Sequence, residues 1–249
     1  MKNYGANLSE QNLKKSFKIL EQVYQEVPKT KGCEKANSKN GCGAYCCRLQ
    51  SPSMYLCEFL YLWEHFTKHS TKDQFLDVVL AAVKNYLKST VTKGCVFFDE
   101  KKNKCLQHKE RPLYCRLYAI INNKSWIKKT KVFKQQHINT PHKDKKDLPA
   151  ILKQCDLVKT ADGRKSISEK QENEWFGQVK DAERALGISE LVIIQHDHQG
   201  GSYRAMHDHI LLSIFNDEFM ALLYQQRILR HSEEVIEKFA EMMRDKIEY

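Results

Sequence analysis

Nine cysteines constrain this chain more than any other feature of its sequence. Most of them lie in polar segments, and three of them have a glycine neighbour: Cys33, Cys42 and Cys95. The N-terminal residues lack the cationic and apolar stretches of a secretory signal, which predicts a cytoplasmic protein. Because a reducing compartment disfavours disulfides, we expect these thiols to bind a metal ion or cluster.

Eight of the nine cysteines are candidate metal ligands. Cys57 falls inside an apolar helical pattern, which predicts a small core residue. A helical turn over residues 43–48 would place Cys42 and Cys46 on one face, with Cys47 about 100° away and therefore at a different site. Eight thiols suffice for two sites of four: Cys33, Cys42, Cys46, Cys47, Cys95, Cys105, Cys115 and Cys155.

The ligand type narrows the choice of metal. Thiolates favour zinc or iron–sulfur clusters over magnesium, calcium and manganese. Structural zinc sites usually show paired cysteines two residues apart, whereas the spacing here is irregular, which favours iron–sulfur clusters and leaves zinc as the alternative. Buried unreactive thiols are a third interpretation, but such thiols do not normally gather in polar loops flanked by glycine.

Outside the cysteines, apolar periodicity predicts a mainly α protein with cysteine-rich metal-binding loops and a few short strands. With 41% hydrophobic and 29% charged residues the chain has the composition of a globular protein. Helices are predicted over 9–27, 54–66, 74–87, 168–186, 210–229 and 233–247, and strands over 117–121 and 191–194. The Lys-rich run over 122–148 is predicted to be a solvated excursion or a domain junction. We expect a helical cysteine-cluster domain over 1–160 and a mainly helical region over 161–249 packed on it, or a single domain.

Three segments around the cysteines resemble the YkgJ-type cysteine-cluster family. They are GCGAYCCR at 41–48, GCVFF at 94–98 and CLQHKERPLYCRLY at 105–118. Family members are described as zinc- or iron-chelating or iron–sulfur proteins, so the resemblance implies the same role for the matching cysteines. Cys155 would supply the cysteine that many relatives have after the Arg-Pro segment. Cys33 departs from the pattern, because eight residues separate it from Cys42 where the family more often has two.

Two arginines flank the last cysteine of these segments. Arg111 and Arg116 lie on either side of Cys115, and guanidinium groups can donate hydrogen bonds to sulfur or offset the charge of a thiolate cage. They are therefore candidate cofactor-binding residues. The alternative for each is a salt bridge with Glu110 or Glu58.

The sequence thus predicts one or two iron–sulfur clusters, most simply [4Fe–4S], for electron transfer or as an accessory to a redox enzyme. A zinc-binding interaction module is the alternative. Some lysine-modifying methylases carry a similar cluster, so the resemblance leaves open whether the chain is an enzyme. The formal charge of +10 occurs without a basic stripe interleaved with aromatic residues, and no apolar run is long enough to cross a bilayer. We therefore expect a redox partner or substrate protein rather than nucleic acid or a membrane.

Two His-Asp-His triplets, at 196–198 and 207–209, form a second group of candidate metal ligands. In an extended segment residues i and i+2 point to one side, so each triplet would present its two imidazoles to a common point. If the two pairs meet, they would form a His-rich metal site, with Asp197 or Asp208 as a ligand or as the residue that orients one. The histidines concerned are His196, His198, His207 and His209. The alternative is surface histidines, with Asp208 capping the next helix. The sequence contains no nucleophile elbow, dinucleotide fingerprint or phosphate-binding loop, and so gives no support to a hydrolase or nucleotide-binding function.

Overall fold

The computed structural model describes residues 8–31, 45–88, 93–136, 155, 158–188 and 203–247. Within these ranges the protein is mainly α-helical, as predicted, with three two-stranded antiparallel pairs. The helices are α1 Glu10–Glu26, α2 Tyr45–Leu49, α3 Leu56–His69, α4 Lys72–Leu87, α5 Leu113–Leu117, α6 Asn123–Gln136, α7 Glu169–Ala185, α8 Met206–Ile214, α9 Asp217–Ile228 and α10 Glu233–Met243. The strands are β1 Thr30–Lys31, β2 Ser53–Met54, β3 Phe98–Asp99, β4 Lys104–Cys105, β5 Lys159–Thr160 and β6 Arg204–Ala205.

Polar caps set where the long helices begin. Ser9 caps α1 by accepting from the Asn12 N–H, and Ser168 caps α7 by accepting from the Gln171 N–H. These two helices pack along each other. The Asn12 side chain also donates to the Leu186 carbonyl oxygen at 3.1 Å, which ties the start of α1 to the end of α7.

The hydrophobic core surrounds α3 and α4. Helix α4 contacts α8, α9 and α10, while α3 contacts α1, α7 and α8. Both central helices bury most of their apolar side chains because their hydrophobic residues recur at helical spacing on wide faces. The largest fully buried side chains include Leu20, Phe59, Phe66, Phe97, Leu113 and Ile120.

Three predicted elements differ from the structure. The helix predicted over 210–229 is two helices, because Asn216 accepts from the Phe219 N–H and starts α9 after a break at Phe215. The strand predicted over 117–121 is wrong: this stretch closes α5 and continues as a turn. The Lys-rich run is not entirely an excursion, since α6 occupies 123–136. The strand predicted over 191–194 lies outside the described residues.

The strand pairs join segments far apart in sequence. Thr30 pairs with Thr160, Ser53 with Ala205, and Phe98 with Cys105. The second pair places the start of α8 beside the chain that leaves α2, and the third brings Cys105 onto the segment that follows Cys95. The domain boundary at residue 160 stays a prediction. No helix in the described part of the chain has the length and apolarity to span a membrane.

Candidate metal centre

Four short segments bring five cysteines together. Cys46 and Cys47 lie on α2, and their Sγ atoms are 4.0 Å apart. The Cys95 N–H donates to the Cys47 carbonyl oxygen at 2.6 Å, so the segment before β3 is fixed on the backbone of α2. Cys105 lies on β4 opposite Phe98, and Cys115 lies on α5. All five side chains are partly buried.

Gly94 makes the approach of two of these segments possible. A Cβ at position 94 would lie 3.0 Å from the Arg48 carbonyl oxygen and 3.6 Å from that of Cys47. The Gly94 carbonyl oxygen in turn accepts from the Asn85 side chain at 2.7 Å. Gly94 is therefore held between α2 and the core helix α4. Its distance from the Arg48 carbonyl oxygen leaves little room for a Cβ atom, which favours glycine here.

The side chain of Arg48 holds the hairpin of β3 and β4 against α2. It donates to the Asn103 side-chain oxygen at 3.2 Å and lies 3.7 Å from a Glu100 carboxylate oxygen. Its guanidinium also lies over the Phe98 ring, 4.9 Å from the centroid. Because Phe98 pairs with Cys105, these contacts fix the position of the hairpin that carries this thiol.

The thiols influence one another's ionisation. Burial raises the pKa values of Cys95, Cys105 and Cys115, and negative charge on neighbouring thiols raises them further. The contact between the Cys46 and Cys47 thiols lowers the pKa of Cys46 and raises that of Cys47. The five thiols therefore form one electrostatic group, and several of them would be thiolates at the same time only beside a cation.

The donor set fits the chemistry of zinc or iron. Two ligands of a tetrahedral zinc ion with bonds of about 2.3 Å are about 3.8 Å apart. The 4.0 Å between the sulfurs of Cys46 and Cys47 is close to that value. The two sulfurs are therefore close enough to share one site despite the helical offset, and the expectation that these neighbours serve different sites stays a prediction.

The complete ligand set is not fixed by these contacts. Among the described residues, no group of three His, Cys, Asp or Glu side chains is placed so that it could hold a metal ion. Cys33 and Cys42 lie outside the described residues. Cys155 is half-buried against the hydrophobic core, and its assignment as a ligand stays a prediction. Cys57 is fully buried, as expected of a core residue.

The two candidate arginines have different environments. The positive charge of Arg111 partly offsets the burial that raises the pKa values of Cys105 and Cys115, and it contributes to the lowered pKa of Cys46. Arg116 instead donates to the carbonyl oxygens of Arg111, at 2.8 Å, and of Lys109. Arg116 thereby braces the backbone that carries Arg111.

His207 and His209, the two histidines of the His-Asp-His triplets that the structure describes, are buried. His209 is fully buried, with its Nε2 3.0 Å from the Met54 carbonyl oxygen and its ring stacked on Phe59. His207 is 5% exposed, and its Nδ1 lies 3.3 Å from the Ser51 hydroxyl oxygen. Burial lowers the pKa of each to about 3. The surface alternative is wrong for this pair, and the pair lies on helix α8 rather than on an extended segment. His196 and His198 lie outside the described residues.

Sequence reasoning missed the role of two buried polar residues beside the thiols. Glu58 accepts a hydrogen bond from the N–H of Leu113, the first residue of the Cys115 helix, at 2.7 Å. Asn85 anchors the residue before Cys95. Each interrupts an otherwise apolar helical pattern, and a polar residue at a core position of such a pattern is the signal that points to a buried partner.

Comparison with protein families agrees with this site. Residues 33–137 match the model of the family described as "CxxCxxCC: Putative zinc- or iron-chelating domain". This match confirms the family resemblance seen in the sequence and supports metal binding by the cysteines of this segment. No curated protein and no solved structure matches the chain.

Proposed function

We propose that the cysteines of residues 33–137, together with Cys155, bind one or two iron–sulfur clusters, most simply [4Fe–4S]. The gathering of five thiols from four separate segments carries this proposal. One tetrahedral zinc ion is closed by four ligands, whereas the sequence offers eight candidate thiols, which is more than a single zinc site uses. Their irregular spacing is also more typical of clusters than of zinc hooks.

The described residues divide into ligands and supporting groups. Cys46, Cys47, Cys95, Cys105 and Cys115 are the proposed ligands among them. Arg111 offsets negative charge at the thiol group, and its Nε atom is buried without a hydrogen-bond partner among the described residues. An N–H in that position suits a hydrogen bond to a ligand sulfur, which raises the reduction potential of a cluster.

Zinc is the second candidate, and one observation favours it. The 4.0 Å separation of the Cys46 and Cys47 sulfurs matches two ligands of a single tetrahedral ion. In that case the metal would close the cysteine loops, and the protein would act as a structural or interaction module.

Metal analysis of anaerobically purified protein decides between the two. We expect iron and acid-labile sulfide in similar amounts, a brown colour, and a paramagnetic signal after reduction. Zinc without sulfide would overturn the cluster and support the second candidate. Protein that retains neither metal, and that takes up neither on reconstitution, would overturn both.

An electron-transfer role requires a partner, and the charge of the chain suggests its type. The formal charge of +10 favours an acidic redox or substrate protein in the cytoplasm. Association governed by this charge weakens as salt rises. A binding titration with a candidate partner at increasing salt would therefore show falling affinity, and affinity independent of salt would contradict this mode of recognition.

A further inference from the structure

Glu58 is a buried carboxylate in an apolar part of α3. It is 2% exposed, and a buried carboxylate costs free energy unless hydrogen bonds compensate it. Its Oε1 accepts from the Leu113 N–H at 2.7 Å and from the Tyr24 hydroxyl at 3.0 Å. Its Oε2 accepts from the Tyr55 N–H at 3.4 Å. The carboxylate thus joins three segments of the chain.

The contact with Leu113 fixes the start of the helix that carries Cys115. Helix α5 has five residues, too few to be stable without tertiary contacts. Pro112 precedes it and makes no side-chain capping bond, whereas Glu58 supplies an acceptor for the first helical N–H. Cys115 follows Leu113 by two residues on this short helix. A hydrogen bond that fixes Leu113 therefore also fixes the backbone from which the Cys115 side chain extends.

Tyr24 strengthens the same connection from α1. Its hydroxyl donates to Glu58, and the Arg116 guanidinium lies over its ring, 4.0 Å from the centroid. Arg116 also donates to the Arg111 carbonyl oxygen. Helix α5 is therefore held at its first residue by Glu58 and near its end by Arg116, with Tyr24 in contact with both.

We infer that Glu58 is a positioning residue for the metal centre, which holds the Cys115 helix in its ligand-presenting orientation. This inference rests on the proposed role of Cys115 as a ligand. Outer-sphere groups that orient ligands typically change metal affinity by about 10- to 100-fold when they are removed. Glu58→Ala removes the acceptor for Leu113, whereas Glu58→Gln keeps an oxygen there.

The test uses the full chain with Co²⁺ as a spectroscopic probe and Zn²⁺ as competitor. We expect Glu58→Ala to weaken Co²⁺ binding by about 10- to 100-fold and to weaken the sulfur-to-cobalt absorption, with Glu58→Gln within a few-fold of the wild type. Ile236→Ala is the matched control, because it opens a cavity in α10 next to α4 without touching the thiols. It should lower stability and leave Co²⁺ affinity unchanged.

A second readout covers the case in which Glu58→Ala does not fold. Tyr24→Phe removes one hydrogen bond to Glu58 and keeps the ring beneath Arg116. We expect it to weaken Co²⁺ binding a few-fold and to speed hydrogen exchange of the Leu113 amide in the metal-free chain. Wild-type affinity in Glu58→Ala, or equal losses in Glu58→Ala and Ile236→Ala, would overturn the positioning role alone. A wild-type chain that binds neither ion and gains no iron–sulfur cluster on reconstitution would overturn the metal centre itself.

Discussion

The thiol group and the histidine pair on α8 are both buried sets of metal-ligand residue types, but their surroundings differ. His209 has a backbone carbonyl beside its Nε2 and a phenylalanine ring against its face, and His207 has the Ser51 hydroxyl. The cysteines of the group have mainly one another and Arg111 as electrostatic neighbours. The histidines have polar and ring contacts within the fold, whereas the thiols are arranged so that a bound cation would stabilise them.

This difference shows that residue type alone does not identify a metal site. A buried polar group whose hydrogen bonds are made within the fold contributes to stability there. Buried thiols have weak hydrogen bonds and become strong ligands only as thiolates, so they depend on a metal for their charge to be compensated. If the two sets differ in this way, changes to the thiols should affect bound metal, and changes to the histidines should affect stability.

The largest expected effect is the loss of metal from the thiol group. Cys46→Ser and Cys115→Ser should each remove most of the bound metal, because a hydroxyl is a much poorer ligand than a thiolate for soft metals. Elemental analysis of the purified variants measures this. Cys57→Ala is the control and should keep its metal; unchanged metal in both serine variants would show that the ligand assignment is wrong.

His209→Ala should affect stability and not metal content. It removes the stack on Phe59 and the hydrogen bond to Met54, so we expect the free energy of unfolding to fall by about 2–4 kcal/mol. Urea denaturation measures the fall, and elemental analysis of the folded variant checks the metal. A variant that loses its metal while its free energy of unfolding is unchanged would show that His209 serves the metal centre and not the stability of the fold.

The pH dependence of stability should report the buried histidines. Their folded pKa values are about 3, whereas an unfolded histidine titrates near about 6.5. Between these values the unfolded chain binds more protons, so stability falls as pH drops from about 6.5 toward 3, by up to about 1.4 kcal/mol per pH unit for each histidine. Denaturation of metal-free protein at several pH values should show a shallower slope in His209→Phe. Equal slopes in the two proteins would mean that His209 is not buried in its neutral form.

The smallest effect concerns the backbone beside Cys95. Gly94→Ala places a methyl group against the Arg48 carbonyl oxygen, and we expect a loss of about 1 kcal/mol in stability with a few-fold loss in metal affinity. Gly177→Ala on α7 is the matched control, because no atom lies within 4 Å of its added methyl group. It should stabilise the protein by about 0.5–1 kcal/mol through helix propensity. A Gly94→Ala variant that behaves like this control would show that α2 and the Cys95 segment do not need their close contact.

Much of the helical framework was predictable because local rules govern it. Ser9 and Ser168 cap helices where the sequence places them, and Cys57 lies in the core as its apolar neighbours indicate. The break at Asn216 was missed because the apolar pattern continues across it. The burial of His207 and His209 was missed because the partners that accommodate them, Ser51 and Met54, lie about 150 residues away in sequence.

The positions of most long helices, the family resemblance and thiolate as the type of donor can all be predicted from the sequence, since each depends on nearby residues or on a recognisable spacing. Which thiols meet depends on the tertiary structure. Cys47 and Cys95 are brought together by a backbone hydrogen bond, and the Cys115 helix is held by a carboxylate from α3. Such contacts depend on how distant segments pack, and packing is a property of the whole core rather than of any local pattern.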